Sequence, residues 1–366
     1  MSTKLPFQPD YAFSPGETLL ETLGSLGLTQ KELANRMGRP LKTINQIIKG
    51  VAQIMPETSL QLEKVTGVPA SFWNNAESNY RERLARLQDE KRQEEEVGWV
   101  DRFSYKHMTE ISLVAFLKVK VDRVGQLLRY FGVASPKEWE STYGGLCGAA
   151  RESGQFKTDL GDLSAWLRAG ELLAQKIDCE NYNRENFTSN LTKIRALTSK
   201  TPSGSWHEVS RLCAISGVAV VLVPELPKTH VCGFTRWITP HKALIQLSLR
   251  YKTDDNLWFT FFHEAAHILL HGKRDVFVEY RGLDNPKEQE ANQWAADFLI
   301  PPADWKSFLA NIPSNPDQVI IRAFAQKQGV ASSIVLGRLQ HVEKLVSPRN
   351  FNTLKHKVKI AWKGLS

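Results

Sequence analysis

His263 and His267 stand four residues apart, with Glu264 directly after the first, inside the apolar run Leu257-Trp258-Phe259-Thr260-Phe261-Phe262 and Ile268-Leu269-Leu270. On a helix that spacing puts both imidazoles on one face, where they can reach a single metal ion. Glu264 points about 100° away, outside the ligand set but near the water that such an ion would activate, where a general base for peptide hydrolysis belongs. The same five residues would also suit a buried helix with two hydrogen-bonded core histidines. A second cluster decides between the two readings. Glu288 opens the stretch Glu288-Gln289-Glu290-Ala291-Asn292-Gln293-Trp294-Ala295-Ala296-Asp297-Phe298-Leu299, far enough past His267 for the chain to turn and lay a second helix beside the first. It would complete a His, His, Glu set with one position open, the composition of a catalytic zinc site. Glu290 competes for the same role. His271 lies two turns from His263, roughly 12 Å along the axis, too far to share the ion, and is expected to support the site or lie at the surface.

The first helix is expected to start at Asp254 and Asp255 and to stop at Gly272. The second follows Asn285-Pro286, with Ala291, Ala295, Phe298 and Leu299 on one stripe. Ahead of both, Gly217–Pro224, Val231–Trp237 and Lys242–Ser248 read as strands of a small sheet.

The two clusters together resemble the ImmA/IrrE group of zinc-dependent peptidases, whose pattern is His-Glu-x-x-His followed by Glu-x-x-Ala-Asn-x-Phe-Ala-x-x-Leu-Leu-x-Pro. Trp294, Phe298 and Ile300 replace the usual Phe, Leu and Met or Leu, and Ala265-Ala266 stands where many members carry a Gly. None of these changes removes a ligand. The resemblance implies a zincin-like α+β peptidase domain with one zinc, or another divalent transition metal, on His263, His267 and Glu288. It implies Glu264 as the catalytic base, Asn292 as a supporting residue, and an edge strand able to hold an extended substrate. Arg236, Arg250, Tyr251 and His271 are the candidates for the oxyanion donor.

Near the N-terminus, Thr29 and Glu32 form a capping box ahead of a helix that Gly38 ends. Pro40 suits the first position of the next helix, in which Ile44, Ile47 and Ile48 would be buried and Lys42, Thr43, Asn45 and Gln46 would point outward. Two short helices joined by a glycine turn, the second presenting amide and basic side chains, are the arrangement that reads a major groove. A plain helical bundle fits the spacings equally well. Pro15-Gly16-Glu17-Thr18-Leu19, Leu28–Ala34, Thr43–Gly50 and Gly67–Trp73 resemble the Xre-type domain of HigA antitoxins, over about residues 12 to 85. That resemblance implies a homodimer on a double-stranded DNA operator, with Gln30, Lys31, Lys42, Thr43, Asn45, Gln46 and Lys49 as contacts. Leu19, Leu20, Leu23 and Leu26 give the apolar stripe expected of the first of five short helices. A separate charged helix is expected from Ser78 to about Gln93.

The formal net charge of +8 suits a polyanionic partner. Five basic residues against one acidic fall between Gln30 and Gly50, and six basic against none between Lys344 and Ser366. Cys147, Cys179, Cys213 and Cys232 form no Cys-x-x-Cys pair, which points to reduced, mostly buried thiols. No stretch reaches the length of a membrane span and no signal pattern is present, so a cytoplasmic protein without a membrane partner is expected. The fold class is mainly α with a small β-sheet. A five-helix helix-turn-helix domain with a linker helix is expected over 1–98, a helical scaffold region over 99–200, and the α+β peptidase domain with a basic tail over 201–366. The function expected is a DNA-binding transcriptional regulator whose zinc endopeptidase cleaves or inactivates a repressor or toxin partner. The alternative is a HigA-like antitoxin or autorepressor of a toxin-antitoxin or prophage module, in which the peptidase fold serves only for interaction or metal sensing.

Overall fold

Helix caps fix the start of the chain. Ser14 and Glu17 form a capping box on α1 (Pro15–Leu26), and Thr29 with Glu32 forms another on α2 (Gln30–Met37). Gly27 and Gly38 end these helices in the left-handed conformation that glycine adopts at least cost. There follow α3 (Leu41–Ile48), α4 (Pro56–Thr66) and α5 (Ala70–Glu95). The structure, a computed structural model, describes residues 11–151, 160–227, 229–248, 250–273, 277–280, 286–313, 316–341, 346–347, 350–359, 362 and 364–365. The chain divides into two units, Met1–Val97 and Gly98–Ser366, so that residues 99–200 and 201–366 fall within one of them.

In the first unit Leu19, Leu23, Leu33, Ile44, Ile47, Leu62 and Trp73 make the core. Leu20 and Leu26, expected on the buried stripe of α1, are 48% and 46% exposed. Leu19 and Leu23, one turn apart, suffice to fill the narrow seam against α3. Gly16 lets α1 approach closely, since a side chain there would strike the carbonyls of Ile47 and Ile48 at the end of α3. Pro40 caps α3 from outside and is not its first residue. The expected short fifth helix and separate charged helix are one element, α5. No glycine or proline interrupts it, and Arg81 pairs with Glu77 and Arg86 with Glu82 at four-residue spacing along it. Arg81 also donates to the Gly50 carbonyl at 3.1 Å, tying α5 to the end of α3.

The second unit begins with α6 (Tyr105–Glu110), α7 (Lys120–Phe131), α8 (Pro136–Arg151), α9 (Leu160–Gln175), α10 (Arg184–Leu197) and α11 (Pro202–Ala214). Strands β1 (Val218–Leu222), β2 (Val231–Thr239), β3 (Lys242–Leu247) and β4 (Phe277–Tyr280) form a sheet in the order β1-β3-β2-β4. Only β1 with β3 is parallel. The fourth strand was not expected, being four residues without an alternating pattern long enough to register. Helices α12 (Asp254–Leu270), α13 (Pro286–Leu299), α14 (Pro302–Asn311), α15 (Gln318–Gln328) and α16 (Ser332–His341) are the remaining described α-helices. No helix among the described residues is long and apolar enough to cross a membrane.

Helix α12 is buried almost all round, as a helix at the centre of a domain must be. On β2 consecutive side chains point to opposite faces. Thr235 donates to the Glu264 carbonyl of α12 at 3.2 Å, whereas Arg236 pairs with Glu171 of α9 at 3.0 Å, so the sheet lies between these two helices. Trp166 of α9 donates to the Val223 carbonyl, and the buried Gln246 amide of β3 returns a hydrogen bond to the Trp166 carbonyl.

Thr253 is the N-cap of α12, with Asp254 and Asp255 in its first turn, and His271 is its C-cap, one residue ahead of the expected Gly272. Residues 354–358 close over this start. Lys355 Nζ lies 2.7 Å from the buried Asp255 carboxylate, and Asp254 exchanges backbone and side-chain hydrogen bonds with His356. Trp362 then donates to the Ile111 carbonyl and the Leu365 amide to that of Ser112. The described part of the basic tail is therefore docked on the second unit, with Lys355 paired to Asp255. Lys344, Arg349 and Lys363 lie outside the described residues. Cys179, Cys213 and Cys232 are free thiols, the last two buried; the side chain of Cys147 lies outside the described residues.

Candidate metal centre and helix-turn-helix face

Helices α12 and α13 pack side by side and bring three of the expected residues together. His263 Nε2 lies 3.0 Å from Glu288 Oε2 and 3.0 Å from His267 Nε2, and His267 Nε2 lies 3.5 Å from Glu288 Oε1. A tetrahedral ion with bonds of about 2.0–2.2 Å sets its ligand atoms about 3.3–3.6 Å apart, so the set is already close to the required shape. The chemistry of the donors agrees. His263 Nδ1 lies 3.0 Å from the Asn292 amide oxygen, which can only accept, so the ring proton is on Nδ1 and the Nε2 lone pair faces inward. The His263 lone pair, His267 Nε2 and a carboxylate then meet in a space whose side chains are 1%, 0% and 5% exposed, a setting suited to a cation.

Protonation follows the same logic. Burial, opposed by the Glu288 carboxylate, pushes the His267 imidazole down to about 4. Burial alone would raise the Glu288 carboxyl, but the contacts with the His263 and His267 imidazoles outweigh it and hold the group at about 2. Neutral imidazole and ionised carboxylate are the states in which these groups bind metal. Helix α13 is held at its far end by two guanidinium groups. Arg195 donates to the carbonyls of Phe298 and Leu299, and Arg338 to those of Ala296 and Ile300, while Glu288 sits in the first turn, where an anion meets the positive end of the helix dipole.

Glu264 follows His263 and is fully buried. Its carboxyl group lies against Gly233 of β2, where any side chain would fall on it. Sequence reasoning missed Gly233, Thr235, Arg195 and Arg338. Only Gly233 left a signal, a glycine inside a strand marking close approach. His271 lies 2.9 Å from His267 through their Nδ1 atoms, and its Nε2 lies 3.2 Å from Glu290. Arg236, a candidate oxyanion donor, is on the sheet face opposite Glu264 and is paired with Glu171. Arg250 and Tyr251 line a cavity of about 20 Å³ together with Thr260, one turn ahead of Glu264.

In the first unit Lys31, Lys42 and Lys49 are exposed, and Gln30, Thr43, Asn45 and Gln46 are half-buried. Asn45 does not point freely outward as expected, since its Oδ1 is buried without a hydrogen-bond partner. At 100° per residue, Thr43 and Asn45 flank the Ile44, Ile47 and Ile48 stripe, and Lys42, Gln46 and Lys49 lie opposite it.

Residues 19–73 match the helix-turn-helix family model, and residues 219–339 match the model of the IrrE N-terminal-like domain of the M78 peptidases. Among solved structures, an addiction module antidote protein of the HigA family from Coxiella burnetii is 31% identical, covering 23% of this chain and 94% of that one with a TM-score of 0.22. The Pseudomonas aeruginosa antitoxin HigA with higBA promoter is 26% identical, covering 24% and 95% with a TM-score of 0.22. No curated protein matches the chain. The chain thus carries an N-terminal helix-turn-helix domain and a C-terminal IrrE N-terminal-like domain of the M78 peptidase family.

Proposed function

We propose that this protein is a DNA-binding transcriptional regulator that carries its own zinc-dependent endopeptidase, with a repressor or toxin as its protein substrate. The carrying observation is the meeting of His263, His267 and Glu288, whose donor atoms lie within 4.8 Å of one another, beside the buried Glu264. A zinc-class ion held by these three would supply Lewis acidity toward a scissile carbonyl and lower the pKa of water. Glu264 takes a proton from the attacking water and delivers it to the leaving amine. Gly233 and Thr235 hold that residue from the sheet side, so its carboxyl group needs little reorganisation. On the first unit, Lys31, Lys42 and Lys49 contact phosphates and Gln46 reads a base, two copies of the chain binding a two-fold operator.

Glu264→Gln tests the enzyme. The variant keeps its metal and its operator binding and loses about 10²–10⁴-fold in peptide cleavage, the usual worth of general-base catalysis. Metal loss in Glu264→Gln equal to that in His263→Ala would remove the base assignment.

The seclusion of the site favours a second reading. With ligand side chains no more than 5% exposed, the metal joins α12 to α13 as a sensor or a structural clamp, and the chain acts as an antitoxin-like autorepressor without proteolysis. Here a metal-loaded Glu264→Gln variant regulates like wild type in the cell, the result that would displace the peptidase reading.

A further inference from the structure

The two ligand histidines are supported in different ways. His263 is fixed in one step, by the Asn292 amide. His267 faces a second imidazole, and two ring nitrogens 2.9 Å apart must share one proton between them. We propose that Glu290 and His271 form a positioning relay that fixes the tautomer and ring plane of His267, an inference resting on the metal-site reading above.

Two proton arrangements are open to the pair. In the first, His267 Nδ1–H donates to a bare His271 Nδ1. The His271 proton is then on Nε2, where the Glu290 carboxylate accepts it at 3.2 Å, and the His267 Nε2 lone pair is free for a metal. In the second, His271 Nδ1–H donates to His267. The His267 proton then sits on Nε2, aimed into the ligand set, and the bare His271 Nε2 opposes a carboxylate oxygen. Glu290 rejects that arrangement by lone-pair repulsion, so its charge selects the metal-ready tautomer two rings away. The frame around the relay is fixed at one end only. The His271 side chain is 4% exposed and its backbone N–H donates to the His267 carbonyl at 3.1 Å, whereas the Glu290 side chain is 65% exposed. Glu290 is two residues from Glu288 on α13, so one helix supplies both a ligand and the group that orients a different ligand. The sequence offered Glu290 as a rival ligand, and the structure turns it toward His271 instead.

The test is Zn²⁺ affinity of the full chain by competition with a chelating dye, read beside the histidine ¹⁵N spectrum of the metal-free protein. His271→Phe keeps the ring volume and removes both nitrogens, and should weaken Zn²⁺ binding about 10–100-fold, the usual effect of losing a ligand's hydrogen-bond partner. Glu290→Leu, at an exposed position that leaves folding intact, should weaken it in the same direction and raise the fraction of His267 protonated on Nε2. Glu290→Gln, whose amide can either accept from or donate to His271 Nε2, should keep that contact but lose the selection, giving a tautomer mixture and an affinity between those of wild type and Glu290→Leu. Wild-type affinity and tautomer in both His271→Phe and Glu290→Leu would overturn the relay and leave the metal site standing. A wild-type chain that takes up no Zn²⁺ would overturn the site itself.

Discussion

Helices α3 and α12 carry the two candidate functions on opposite terms. The eight residues of α3 turn Lys42 toward solvent, leave Gln46 half-buried and keep only an isoleucine stripe inside, with Lys49 exposed at the cap, whereas His263, Glu264 and His267 of α12 are completely enclosed. A polar group in water can take many orientations at little cost; a buried one must find a partner. The rings of His263 and His267 are accordingly each held by a named neighbour, Asn292 and His271, and the outward residues of α3 await one.

The largest effects should therefore fall on α12. His263→Ala or His267→Ala should reduce metal content from one ion per chain to none by elemental analysis, while Lys42→Ala leaves it unchanged. Lys355→Met would strand the buried Asp255 carboxylate at the start of the same helix, and urea titration should show a loss of about 3–5 kcal/mol in the second unit. Gly233→Ala should cost about 1–3 kcal/mol, the range for inserting a methyl group into a packed core, and should reduce cleavage with metal content intact. On α3 the effects should be smaller and depend on the DNA. Gln46→Ala should relax preference at one base position per half-site by about 1–3 kcal/mol, and Lys31→Ala should weaken all sequences alike and lower the salt slope by about one. A Lys31→Ala variant that changed preference at a single position would reverse the division between phosphate and base contacts. The smallest shift belongs to a cap. Thr29→Ala removes the box on α2 and should cost about 0.5–2 kcal/mol in thermal melts of the first unit.

The same contrast explains what could be read from the sequence. His263, His267 and Glu288 were legible because metal ligation by helices demands fixed residue types at fixed spacing. Thr29, Glu32 and Gly38 were legible because caps act over three or four residues. Leu20 and Leu26 misled, since an apolar residue on a helix is not obliged to find a core. Arg195 and Arg338 were invisible because they grip α13 from helices about a hundred residues before it and about forty after it, and no local pattern records such a meeting. Asn45 was misplaced for a subtler reason. Its position at the flank of the buried stripe allows either orientation, and only the packing around it turns Oδ1 inward.

The closing of residues 354–358 over the start of α12, with Trp362 on Ile111, also orders events in time. Asp254 meets His356, and Ile111 meets Trp362, across stretches of about 100 and 250 residues, so the second unit cannot finish folding until those late residues have left the ribosome. The first unit, Met1–Val97, is compact in itself. At about 5–20 residues synthesised per second its residues are complete on the order of tens of seconds before those of the second unit. During synthesis the helix-turn-helix part is complete first, and α12 is closed over last.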